Sequence, residues 1–219
     1  MKRGKRDWLI PAGLILLSLV AAGAGSAGLV EVGSNAAVTP AHARFMDSPL
    51  PVLIHIPTAI VYSILGALQF SPAFRRNNRP WHRAAGKLLL VCGTLVALTG
   101  LWMAHFYPWP AFDGMGVYVE RLVVGIAMLG CIGMGIDAIR RRSFGEHGDW
   151  MIRAYALGLG AGTQVLTHLP WFILMDAQPG TFHRTVMMGG AWAINALVAE
   201  WIIRKPKVMR AARPVLSTA

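Results

Sequence analysis

The side chains best equipped for chemistry in this chain are its histidines. Seven occur among 219 residues. In an apolar setting imidazole has two uses: it ligates haem iron or another metal, and it exchanges protons near neutral pH. His55, His105, His168 and His183 each fall near the same end of an apolar stretch. A helical rise of ~1.5 Å per residue puts all four in one layer roughly 10 Å deep, with His55 and His168 deepest. His55, Thr58, Tyr62 and Gln69 are spaced to line one helix face. Gln164 and His168 share another face, with Thr163 and Thr167 beside them, and Asn195 stands near the middle of the last stretch. His55, His105, His168, Tyr62 and Gln164 therefore form a candidate cofactor site for haem b, copper or a quinone head. The plainer alternative is that each imidazole donates to a carbonyl or to interfacial water, and that Gln and Asn bridge helices for ~0.6–2 kcal/mol each.

A second candidate set lies at the opposite ends of the stretches: His82 and Arg83, then His147, Asp149 and Arg153. Asp149 is placed to cap a helix starting near residue 152, where a carboxylate meets unpaired amides and the positive end of the dipole. Arg83 and Arg153 have Glu146 or Asp149 as expected partners, and Asp137 has a neighbouring arginine. A two-haem electron path needs a histidine pair near each face. The ~34 Å of helical rise from His82 to His105 leaves the inner pair at the membrane surface, which weakens that path.

These residues are positioned by six apolar stretches, at about 8–30, 51–71, 86–106, 118–139, 152–175 and 185–203, against the ~20 residues that cross ~30 Å of hydrocarbon. The expected fold is all-α, a single six-span membrane domain over residues 1–219. Of the 21 Lys and Arg residues, all but Arg44, Arg121 and Arg184 fall on one side of this arrangement. They cluster at 2–6, 75–87, 140–153 and 204–213. Cytoplasmic loops retain such residues, which places both termini inside. The basic start, apolar run and small residues of 1–30 also fit a secretory signal, but the run is longer than the ~7–15 residues of such a segment, so an uncleaved span is expected.

The formal charge of +11 is dispersed over four flanks instead of one stripe, so anionic lipid is the expected partner and nucleic acid is not. Cys92 and Cys131 read as small packing residues. Small residues recur at four-residue intervals (Ala127, Cys131, Gly135; Ala154, Gly158, Gly162; Gly189, Ala193). They suit close helix packing within the bundle, with a homo-oligomer or another membrane protein as the alternative user of such a face. No Gly-x-Ser-x-Gly elbow, phosphate-binding Gly-rich loop or His-Glu-x-x-His helix occurs, which argues against a hydrolase or a soluble nucleotide-using enzyme. Neither an inverted repeat nor a pair of broken helices is apparent.

Three ordered motifs, His55-Ile56-Pro57 leading to Gly66-Ala67-Leu68-Gln69-Phe70, then Pro80-Trp81-His82-Arg83-Ala84-Ala85-Gly86-Lys87, then His147-Gly148-Asp149-Trp150-Met151-Ile152-Arg153, closely resemble domain-of-unknown-function family 2306 over about residues 50–175. The resemblance implies a multi-pass bacterial membrane protein, hence the inner membrane, with suggestive His, Gln and Arg positions. It implies no particular activity. The functional expectation from the residues is a histidine-based redox-associated protein. Its alternatives are a small transporter or proton-linked channel-like protein, in which Gln69, Tyr62, Gln164 and Asn195 line a polar path, and a membrane assembly factor.

Overall fold

The computed structural model describes residues 8–33, 43–71, 75, 77–175 and 177–211, with side chains as far as Lys205. The basic residues before Trp8, Arg76, Asp176 and Arg213, and the side chains of Lys207 and Arg210, lie outside the described residues. Among the described residues, seven α-helices run Leu9–Gly33 (α1), Leu50–Leu68 (α2), Arg79–Phe106 (α3), Met115–Arg140 (α4), Phe144–Gly158 (α5), Gly160–Leu174 (α6) and Thr181–Ala211 (α7), with a 3-10 turn at Ala43–Phe45. No strand occurs among the described residues. Proline starts two of the helices, in the first turn of α2 and of α3, where its missing N–H costs nothing. Extended backbone at Tyr107 ends α3 just before Pro108. The α4–α5 connection is only Arg141–Ser143, closed by Arg142 in a left-handed conformation (φ 60°).

Five helices are long and apolar enough to cross a membrane: α1, α2, α3, α4 and α7. Their exteriors carry exposed Leu, Ile, Val and Phe, a surface that lipid tails solvate and water does not. The segment expected as a fifth continuous span is instead two helices of 15 residues each, meeting at Leu159. Its first half also begins earlier than expected, at Phe144. Asp149 consequently sits in the second turn of α5 instead of capping it, and Ser143 occupies the cap position.

The break has a local cause and a local repair. Gly158 and Gly160 flank Leu159, and glycine weakens a helix interior. Gly162 and Thr163 donate to the Leu159 carbonyl, restarting the helix. The Ala156 carbonyl accepts the Asn195 Nδ2–H of α7 at 3.0 Å, and Thr163 Oγ1 donates to Asn195 Oδ1 at 2.8 Å. One carboxamide thus ties both halves of the broken segment.

α5 is the hub of one end of the bundle, packing against α2, α3, α4 and α7. α6 leaves that centre and packs against α1 and α7. The main core gathers Tyr62, Leu89, Cys92, Val96, Met128, Cys131, Ile132, Tyr155 and Leu159. The Tyr62 ring is admitted by Gly93 of α3 and Gly158 of α5, where an added Cβ would come within 2.6 and 2.7 Å of it. Tyr155 crosses Gly66 in the same way and donates to the Ser63 carbonyl at 2.7 Å. The small-residue stripes are used inside the chain: Gly135 receives the Met151 methyl, and Gly162 lies against the Leu17 backbone.

Candidate functional site

The expected histidine layer resolves into separate environments. His55 Nδ1 lies 2.9 Å from Thr99 Oγ1, whose own proton goes to the Leu95 carbonyl at 2.5 Å. The imidazole is therefore the donor, which leaves Nε2 as its lone-pair nitrogen. His105 is exposed, with Nδ1 2.9 Å from the Tyr118 hydroxyl. His168 Nδ1 donates to the Gln164 carbonyl one turn back at 2.7 Å, and its ring stacks on Phe172. His183 packs against Trp171 from the first turn of α7, three residues into the helix instead of before it. Tyr62 belongs to the packed core, not to a cavity. Among the described residues, no group of three or more His, Cys, Asp or Glu side chains is arranged to hold a metal ion.

The inner-face candidates divide as well. Arg153 makes a two-pronged pair with Glu200 of α7 (2.5 and 3.2 Å) and covers the Trp150 ring, while Asp149 acts on it electrostatically. Glu146 pairs instead with Arg141, which also holds Asp137, the partner expected for that aspartate. His147 Nδ1 donates to the Gly135 carbonyl across the tight α4–α5 turn. His82 Nδ1 is buried without a hydrogen-bond partner, as are both amide atoms of Gln69. Arg83 flanks this group from the first turn of α3 and is close enough to His82 to act on it electrostatically, as are Arg75 and His147.

The most developed concavity lies at the opposite, proline-rich end. A cavity of about 770 Å³ opens there between α1, α2, the 108–112 loop, α4 and α7. Its walls are Gly25 and Gly28 of α1, Phe45, Val52 and Ile56, with Trp109 and Phe112 from the loop. Arg44, Arg121 and Arg184 also line it. These are the three cations that stood apart from the charge asymmetry, and they come from three different parts of the chain.

Behind them lies one carboxylate. Asp113 is 1% exposed, accepts from Arg184 Nε, and has Arg121 Nη2 2.7 Å from its second oxygen. It is delivered by Phe112, held in the left-handed region (φ 68°), an unusual conformation for a bulky residue. Tyr107 ties the same loop to the Ser48 carbonyl at 2.5 Å. Among the described residues Arg44 makes no ion pair, and its Nε is buried without a hydrogen-bond partner. Burial and the neighbouring Arg121 guanidinium lower its pKa below the usual arginine value, with Asp113 only partly offsetting them. Glu120, next to Arg121 in sequence, turns away to pack on Gly189 and does not line the cavity.

Three guanidiniums on a cavity with both polar and apolar walls, and one buried carboxylate behind them among the described residues, offer strong donors to negative charge. Charge-assisted and forked hydrogen bonds are the strongest an arginine offers, and apolar walls strengthen them. Histidine spacing did not point here. The signal available was the lone trio of basic residues on the sparsely charged side.

No curated protein and no solved structure matches this chain. The family described as predicted membrane protein (DUF2306) matches residues 52–203, which extends the resemblance seen in the motifs through most of α7 and includes Asp113, Arg121 and Arg184 but not Arg44. The apolar helices and that match over more than half of the chain lead to one conclusion, that the protein belongs to the DUF2306 family of membrane proteins.

Proposed function

We propose that the protein is a six-span bundle of the bacterial cytoplasmic membrane, both termini inside, that binds a small anion with an apolar body in the arginine-lined cavity from the outer face. The observation that carries this reading is the convergence of Arg44, Arg121 and Arg184 on one cavity with a single carboxylate behind them. About 770 Å³ falls within the ~300–1,000 Å³ typical of small-molecule sites. Phe45, Val52, Ile56 and Trp109 offer contact area to a hydrophobic moiety, while the guanidiniums take a carboxylate, phosphonate or phosphate. The excess of Lys and Arg at the other end supports the outward orientation of the cavity.

Titration calorimetry with phenylphosphonate, on protein in zwitterionic nanodiscs, tests it. Arg44→Gln is the informative variant because that side chain makes no ion pair among the described residues. Losing one charge-assisted contact of ~1.5–3 kcal/mol weakens binding by at least about tenfold. Equal affinity in the two proteins, or no binding by the wild type, removes the reading. A parallel arm containing phosphatidylglycerol separates a soluble ligand from a lipid headgroup: displacement of the phosphonate by the lipid assigns the site to the headgroup.

A further inference from the structure

We infer that the anion taken up at the proline-rich end is carried across the bundle by a swing of α6 about the break at Leu159, so that the protein is a carrier and not only a receptor. This inference rests on the anion-binding reading above, and three independent observations support it.

The first is mechanical. α5 packs against four other helices, whereas α6 is held mainly by α1 and α7, and the two meet at Leu159 under the Asn195 carboxamide. The Ala156 carbonyl at the break is capped by a side chain, Asn195, instead of by the helix itself. On the flank of α6 lies a groove of about 240 Å³, lined by Gly13, Leu17 and Val20 of α1 and by Gly162 and Leu166 of α6. That groove lies beside the close Gly162–Leu17 contact, so a tilt of α6 changes the space between it and α1. The loop that follows α6 supplies Gln178 to the cavity and leads into Arg184, so a tilt acts directly on the cavity wall.

The second is the state of the passage. Tyr62, Tyr155, Met128 and Ile132 fill the centre of the bundle, which leaves a cavity at one end and a shut core beside it. Secondary transporters likewise combine a discontinuous helix with access to one side at a time; here the break lies away from the cavity and the 175–180 connection links them.

The third is a trail of unpaired polar atoms. Arg44 Nε lies at the cavity, Gln164 Nε2 on α6 about one turn past the break, and both amide atoms of Gln69 with His82 Nδ1 at the basic end; the carboxylate oxygens Asp113 Oδ2 and Glu120 Oε2 belong to the same set of buried atoms without a hydrogen-bond partner and stand aside from the donors. A buried polar group without a protein partner is costly, and a fold that retains it supplies a partner as water, an ion or a ligand. Arg44, Gln164 and Gln69 all present N–H donors, the chemistry that escorts an anion.

Exchange of radiolabelled phenylphosphonate by preloaded proteoliposomes tests the inference. The companion protein is Leu16→Cys/Leu166→Cys in a Cys92→Ala/Cys131→Ala background, tethered across the groove by a short bismaleimide and checked by mass. The expected result is exchange by the wild type and by the untethered variant, falling at least tenfold on tethering while phenylphosphonate still binds. Binding without exchange in the wild type overturns transport and leaves the receptor reading standing. Exchange that survives the tether overturns the α6 hinge, and absence of binding removes both.

Discussion

Asp113 is where single-residue chemistry is most exposed to test. Its carboxylate is shared by Arg121 and Arg184 and occupies the place a ligand's charge would compete for. Asp113→Asn leaves three guanidiniums without a buried counter-ion, and removing one partner of a buried pair costs up to ~3–5 kcal/mol, here reduced because both arginines are 26% exposed. The anion-free variant is therefore expected to melt several degrees lower. The same change removes the internal competitor, so phenylphosphonate should bind the variant more tightly and return its melting temperature toward that of the wild type. Calorimetry and a thermal-shift series decide it; weaker binding by Asp113→Asn would mean that the carboxylate positions the arginines instead of competing for them. This site was only half legible in the sequence. Arg44, Arg121 and Arg184 were visible as exceptions, but 140 residues separate the first from the last, and no local spacing announces that they meet. Histidine spacing has a different limit: equal depth along different helices says nothing of which face each ring occupies, and His55, His105 and His168 turn to different partners.

Among the elements, the broken segment 144–174 departs furthest from its periodicity. Its apolar run predicts one continuous helix over 152–175, yet the Gly158-Leu159-Gly160 sequence allows a restart that only a tertiary partner makes worthwhile. Trp192 of α7 stands so close to Gly160 that an added Cβ would overlap its indole, and Asn195 one turn on spans the gap. Asn195→Ala leaves the Ala156 carbonyl and the Thr163 hydroxyl without these bonds. Interhelical side-chain bonds in membranes contribute ~0.6–1.7 kcal/mol each, so a loss of about 1–3 kcal/mol is expected, together with faster amide exchange confined to residues 160–163. Protection unchanged there would show that the backbone, not the carboxamide, holds the break. The remaining helices and their approximate limits follow from hydrophobic runs, proline and the basic flanks, because those features act locally.

The whole molecule presents two unlike ends, one rich in proline and aromatic rings, the other in arginine. If the proline-rich end faces outward, a cysteine at Asp47 in a Cys92→Ala/Cys131→Ala background reacts with a membrane-impermeant maleimide on intact cells, whereas one at Arg142 reacts only after the membrane is opened. The reverse pattern would turn the cavity toward the cytoplasm and invert the direction from which its ligand arrives. The bundle also has an order of assembly written into it. α1 emerges first, but its contact with α6 at Gly162 waits for about 130 further residues, of order ten seconds at a synthesis rate of ~5–20 residues per second. If the 144–174 segment is the sixth span, it waits in turn for Asn195, without which its interrupted backbone meets hydrocarbon unsatisfied. Its stable insertion is thus a joint event with α7, and a ribosome paused before residue 195 would hold a nascent chain whose last emerged segment still lingers at the translocon.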